Sequence, residues 1–302
     1  MVSFFFDLYK DFLSNAELCS VKELLSNLPD DSRYVDAVFP RKTLPISITG
    51  SSCELNCAHC DGHYLKSMRP LSDANGDDCS KYSSFLISGG SSKTGAVPID
   101  RFINSVAKKF PDSGLNFHIG FQGAQLLRQN KIFSGPRNCI SFDLIGTSEI
   151  LRDVFKVSLT PSDLERMYLE LIEIARVVPH TIAGLMGDDL SGVFRTLNFL
   201  NNADQKKLTL LVFRPTAKTE MALCKPPALD VLYDFLNKAV NQYNFDITLG
   251  CMRPAGVYRR KLDLFAWLHG VRRIVNPDRL LLKAFEATGI KINSFYECCA
   301  FC

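Results

Sequence analysis

Cys53, Cys57 and Cys60 stand at C-x3-C-x2-C spacing, directly after the apolar run ISIT and the turn residues GSS. Gaps this short return the chain to one point, so the three thiolates can wrap a single small metal centre. Thiolates select zinc, copper(I) or iron–sulfur. Glu54, Asn56, His59 and Asp61 make this a poor core segment, which argues against buried structural thiols. Zinc held by the three cysteines with His59 or His63 stands as the alternative to an iron–sulfur cluster.

A second group ends the sequence: Glu297-Cys298-Cys299-Ala300-Phe301-Cys302. Adjacent thiols do not have the spacing of a structural zinc knuckle. A terminal tail is tethered on one side only and can fold across a barrel mouth. Cys298 or Cys299, with Cys302 and Cys251, can then ligate a second, auxiliary iron–sulfur cluster. Redox-active or disordered terminal thiols, or burial of Cys298 or Cys299, are the competing readings. Cys19, Cys79, Cys139 and Cys224 are isolated and read as structural or incidental.

The elements that must position these groups follow from periodicity. Short apolar runs at 45–49, 84–88, 115–119, 139–145, 177–183, 208–213, 245–249 and 272–275 read as strands, and many end in Gly or Pro. Helical patterns fall between them: Ile99 to Phe110, a helix capped by Thr160 with Pro161 at its first position, Val231 to Val240, and one opened by Asn276–Pro277. Residues 4–28 read as helix, or as two helices parted after Ser14, and 30–41 as a linking segment. The polar loop 72–83, with Asn75–Gly76, reads as exposed. Strands interleaved with helices predict an α/β fold, a TIM-type βα barrel, complete or partial. A doubly wound open sheet is the runner-up. The expected layout is an N-terminal helical segment (1–44), the barrel (45–290) and a cysteine-rich tail (291–302).

Composition narrows the class. The 302 residues are 46% hydrophobic and 22% charged, a folded chain with a full core. A formal net charge of +3 gives no nucleic-acid footprint. No run reaches the ~18–20 apolar residues of a membrane span. The start, MVSFFFDLYKDF, lacks the basic lead of a signal peptide. Eleven cysteines, six of them in two tight groups, suggest metal rather than a disulfide framework, and a cytoplasmic location.

The cysteine spacing after a first barrel strand resembles the radical S-adenosylmethionine enzymes. In that family three cysteines hold a [4Fe–4S] cluster whose open iron chelates S-adenosylmethionine, and radical cleavage of that cofactor removes a hydrogen from an unactivated carbon. The aromatic that usually precedes the last cysteine is His59 here, a cofactor-packing position. The glycine-rich end of the family's second strand, which receives the methionine amino group, matches Ser88–Gly89–Gly90; the acidic residue that usually follows is Ser91. Asp143, at the end of the fourth strand, is a candidate ribose acceptor or a solvent-facing charge, with Glu149 as a second candidate. His180 is a candidate substrate or catalytic group, or a hydrogen-bonded barrel histidine.

The run Phe213-Arg214-Pro215-Thr216 resembles the adenine-side segment of the biotin synthase-like subgroup, and Arg214 can pair with a carboxylate. Residues 247–277, with Cys251, Arg253, Pro254, Gly256 and Arg259, resemble the two-protein lipoyl synthases. That resemblance implies sulfur insertion into an octanoyl chain on a lipoyl carrier domain or H protein. It also implies a paralogous radical partner protein and an electron donor such as ferredoxin, with Arg253 and Arg259 on the substrate side. The C-x4-C-x5-C motif of single-chain lipoyl synthases is absent, which sets that enzyme aside.

Overall fold

The computed structural model describes residues 2–74 and 79–301, so Asn75–Gly76 and Cys302 lie outside the described residues. Within them eleven strands share one sheet: β1 Tyr34–Val38, β2 Thr43–Ser47, β3 Arg69–Pro70, β4 Ser84–Ser88, β5 Gly114–His118, β6 Cys139–Asp143, β7 Val177–Ala183, β8 Lys207–Val212, β9 Asp246–Leu249, β10 Arg273–Val275 and β11 Lys291–Phe295. Their order is β11-β1-β10-β9-β8-β7-β6-β5-β4-β2-β3. Every pairing is parallel. Parallel neighbours need long crossovers. These carry α3 Ile103–Lys109, α4 Pro161–Ile172, α5 Ser191–Asn202, α6 Leu229–Asn237, α7 Val257–Leu268 and α8 Arg279–Thr288, with α1 Val2–Tyr9 and α2 Asn15–Ser26 ahead of the sheet. The result is a partial barrel of parallel strands flanked by helices.

The two faces of the sheet differ in chemistry. Successive side chains alternate faces, and paired neighbours in parallel register share one. The outer row includes Phe85, Phe117, Ile140, Phe142, Leu210 and Ile247, all buried. Phe85 stacks on Phe110 at 3.9 Å, and Phe142 meets Tyr168 of α4 at 6.5 Å. The inner row is mixed: it carries the polar Ser88, Asn116, His118, Ser141, Asp143, His180, Thr209 and Thr248 together with Leu86, Val178, Ile182 and Leu211. The core therefore lies between sheet and helices, and the polar groups of the inner row cluster about His118, Asp143 and His180.

Local rules explain several elements. Thr160 caps α4 in a reciprocal box with Asp163, and Pro161 opens it. Ser14 and Glu17 form the same box at α2, which parts the N-terminal helices where Ser14 falls. Phe5 stacks on Trp267 at 6.2 Å and Glu17 binds Lys261 at 2.9 Å, seating this segment on α7. The late helix begins later than Asn276–Pro277: Asp278 caps it, and Asn276 takes the left-handed φ of 47°.

Two strands fall where sequence reading placed other structure. β1 occupies the expected linking segment, and β11 the expected tail. Both pair in the sheet. They alternate rather than run apolar because Asp36 and Asn293 face inward and bond each other at 2.9 Å. Among the described residues no strand pairing joins β3 to β11. Instead the segment after β11 bridges the opening: Lys42 N–H donates to Tyr296 O at 2.8 Å and Cys298 N–H to Thr43 Oγ1 at 2.6 Å. No helix among the described residues is long and apolar enough to cross a membrane.

Candidate metal centre and barrel lumen

The cysteine loop leaves β2 and is turned by residues that accept left-handed backbone. Gly50, Asn56, Asp61 and Gly62 have φ of 63°, 50°, 42° and 65°. Asn and Asp tolerate that region better than other side chains. Between Asn56 and Asp61 the chain closes one turn, with Cys60 N–H and Asp61 N–H both donating to Cys57 O, at 3.1 and 2.9 Å. Cys57, His59 and Cys60 thereby gather: one ligand atom from each lies within 4.8 Å of the others. Cys53, on the same loop, lies outside that group of ligand atoms, and its charge contributes to raising Cys57.

Three neighbours hold this turn. Ala58 N–H donates to Val154 O at 2.8 Å, the end of a π-helical turn over Ile150–Val154, and Ala58 O accepts from Met221 N–H at 3.1 Å. Glu54 N–H donates to Ser91 O at 2.9 Å. The thiols titrate unequally. The hydrogen bond to Cys60, then burial and the neighbouring thiols, pushes Cys57 up, while that bond, with His59, pulls Cys60 down. Crowded thiols cannot all ionise without a compensating cation, and a metal is the usual one.

Gly89 and Gly90 close the second barrel strand against this loop. A Cβ on Gly90 would lie 1.9 Å from Ser52 O and 2.6 Å from Cys53 Cα. Its N–H donates to Thr49 Oγ1 at 2.7 Å. The glycine is required by the loop itself, because backbone passes backbone there. Ser88 Oγ donates to His118 O at 3.0 Å and so ties β4 to β5.

Below the loop lies the polar lumen. His118 Nε2 and Asp143 Oδ2 are 3.2 Å apart. Burial alone would lower His118, but the Asp143 carboxylate outweighs it and raises the imidazole. Burial likewise opposes Asp143, yet His118, then His180 and His59, hold it below its usual range. Asp143 Oδ1 is buried with no hydrogen-bond partner. His180 is lowered to about 4 by burial and is neutral at pH 7. Its Nδ1 lies 3.0 Å from Val178 O, and a carbonyl only accepts, so the proton sits on Nδ1. Ser141 donates to Asn116 Oδ1 at 2.9 Å.

The arginines part company. Arg253 is fully buried and bidentate to Asp263, at 2.8 and 3.0 Å, and also donates to Gly250 O and Asn276 O. Asp263 in turn accepts Asp278 N–H at 2.8 Å. Burial pushes the Asp263 carboxyl up against the pull of Arg253, yet accepting from three donors is the geometry of a carboxylate. Arg253 therefore locks β9, α7 and the start of α8 together and presents nothing to a substrate. Arg259 donates to Arg253 O at 3.1 Å, and its Nε is buried without a partner. Arg214 is exposed and Pro215 half-buried after β8.

The tail enters from the opposite end to the one expected. It passes the N-terminal ends of the strands rather than the mouth at their C-terminal ends. Ala300 O accepts Arg176 Nη1 at 2.8 Å and the Cys139 thiol at 3.7 Å, and Asn116 Nδ2 donates to Cys298 Sγ at 3.7 Å. The chain leaves β11 beside Thr43, at the start of β2. Bonding with Cys299, then Ala300 N–H and Asn116, lowers Cys298 to about 7. Cys251 is exposed after β9. Among the described residues Cys251, Cys298 and Cys299 do not form a group of metal-ligating distances.

Sequence reading passed over His118, Asn116 and the π-helical turn at 150–154. The signal for the first two was present in GLNFH, where polar residues alternate with apolar ones at a period of two. The π turn had no sequence signal.

No protein-family model matches the chain, and no curated protein does. Likeness lies with solved structures. Methylornithine synthase superposes with TM-score 0.58 at 13% identity, covering 95% of this chain and 93% of that one. Streptococcus suis SuiB gives TM-score 0.51 at 13% identity, covering 82% of this chain and 56% of its own. An HMG-CoA lyase from Acinetobacter baumannii, in complex with coenzyme A and 3-methylmalate, gives TM-score 0.50 at 12% identity over 90% and 89%. At such identities the likeness speaks for fold alone. That fold is a partial barrel of parallel strands flanked by helices, and none of these three structures is named a lipoyl synthase.

Proposed function

We propose that this chain is a radical S-adenosylmethionine enzyme acting on a small polar molecule held in its lumen. The observation that carries the reading is a crowded thiol loop, closed against the second barrel strand at Gly90, in a barrel whose inner face carries the polar groups His118, Asp143 and His180. Cys53, Cys57 and Cys60 would hold a [4Fe–4S] cluster, which supplies the electron for cleavage of S-adenosylmethionine. The donor set fits: soft thiolates in need of a cation, and a buried imidazole nitrogen without a partner. Ser88, Gly89 and Gly90 would line the methionine end of the cofactor. Asp143 Oδ1 would accept a hydroxyl, and Arg214 and Pro215 would flank the far side.

The finer reading, sulfur insertion into an octanoylated carrier with a paralogous partner, a ferredoxin-type donor and an auxiliary cluster at Cys251, Cys298, Cys299 and Cys302, rests on residues 247–277. Two observations favour the small-molecule reading over it. Arg253, central to that resemblance, is spent on packing. Among the inner-row polar groups Asp143 Oδ1 is buried without a hydrogen-bond partner, and an eight-carbon chain could not supply one. A non-catalytic iron–sulfur or zinc protein is the remaining alternative.

The test is anaerobic reconstitution with iron and sulfide, an iron count, reduction, and assay for 5′-deoxyadenosine. Formation of that product without an octanoylated carrier, and its loss in Cys57→Ala, is the expected result. A fully loaded cluster that never cleaves S-adenosylmethionine would leave only the non-catalytic alternative.

A further inference from the structure

His59 is the member of the loop that a three-cysteine centre does not require, yet the fold brings it in. A ring nitrogen of His59 lies within 4.8 Å of the Cys57 and Cys60 sulfurs. Donors around one tetrahedral ion stand roughly 4 Å apart, and those on separate irons of a cluster stand further apart, so this spacing gathers the three donors about a common centre. The residue is 8% exposed, and its Nδ1 is buried with no hydrogen-bond partner. The ring is also held in place: Phe155 meets it edge-on at 5.0 Å, and the Ala58 peptide is bonded on both sides, to Val154 and Met221. A phenyl ring would fill the same space without burying a nitrogen. Burial of that atom is costly unless something binds it, and no protein group does.

We propose that His59 is a ligand of the metal centre in the resting protein, a fourth protein donor that S-adenosylmethionine must displace. Displacement rests on the radical reading above, whereas ligation does not. The imidazole is neutral when it ligates, so its proton sits on the other ring nitrogen and no net charge is added to the centre. Binding of the cofactor would then replace the imidazole nitrogen with the amino and carboxylate donors of its methionine end.

Protein carrying 15N-histidine, reconstituted anaerobically and reduced, tests this by pulsed electron paramagnetic resonance. The expected result is a 15N hyperfine coupling in the resting cluster that vanishes on addition of S-adenosylmethionine. It is absent from His59→Phe, which keeps a ring against Phe155. The same variant should surrender its metal to a chelator about tenfold faster or more. A full complement of cluster iron with no 15N coupling, and unchanged chelator resistance in His59→Phe, overturns the proposal and leaves the radical reading standing. A lone zinc ion coordinated by His59 supports ligation and overturns both displacement and the radical reading. A loop that retains no metal under any loading condition overturns everything.

Discussion

Gly90→Ala is the sharpest perturbation available, because the added methyl has nowhere to go. Its carbon would sit 1.9 Å from Ser52 O and 2.7 Å from Cys53 Cβ, against backbone rather than the end of a flexible side chain. Relief requires the strand end and the cysteine loop to part by roughly 1 Å or more, given the contact distances carbon tolerates. Overpacking costs about 1–3 kcal/mol, and backbone contact puts this substitution at the upper end. For a chain of this size that is a fall of about 1 M in the urea midpoint. The larger effect is on the metal: ligand distances hold to about 0.2 Å, so a loop moved several times that far loses its centre. Gly89→Ala is the built-in control. Its methyl would meet Ile48 Cγ1 and Thr49 Oγ1 at 3.0 Å, side-chain atoms that can yield. Iron per chain and urea midpoints should therefore separate the two variants. Equal midpoints and equal iron content would refute the close-approach argument.

Two other outcomes follow from the site. Arg253→Met and Asp263→Asn should each cost about 3–5 kcal/mol, since either strands a buried charge or its partners. Replacing both residues with apolar ones should cost less than the sum, read as a double-mutant cycle in urea. His118→Gln tests the lumen pair through pH. A raised imidazole contributes stability that is full below its unfolded value of 6.5 and fades as pH rises through the higher folded value. The depressed Asp143 contributes above its unfolded 3.8 and fades as pH falls through the lower folded value. The variant's deficit in urea midpoint should therefore be greatest between those limits and shrink toward alkaline pH. A deficit independent of pH would mean that the pair is not ionised.

The sequence by itself determined whatever is settled within a few neighbouring residues. The gathering of Cys57, His59 and Cys60 is of that kind, because a turn between Asn56 and Asp61 suffices to bring them together. So are the Thr160 and Ser14 caps, and the β4 and β7 boundaries, which match the apolar runs at 84–88 and 177–183. The βα rhythm likewise foretold the barrel class. Strands with an inward polar row were harder to see. β1 and β11 carry Asp36 and Asn293 at alternate positions, a pattern that means strand only once a lumen exists to receive it.

Tertiary structure alone decided which distant residues share a chamber. His118, Asp143 and His180 come from three strands, and their meeting depends on register and on the face each strand turns inward. It decided that Arg253 is a lock rather than a substrate contact, since Asp263 reaches it only through the fold of α7. It also sent the tail to the N-terminal end of the lumen. Chain connectivity says how far a segment can reach, but only the packed sheet says which partners are already taken when it arrives.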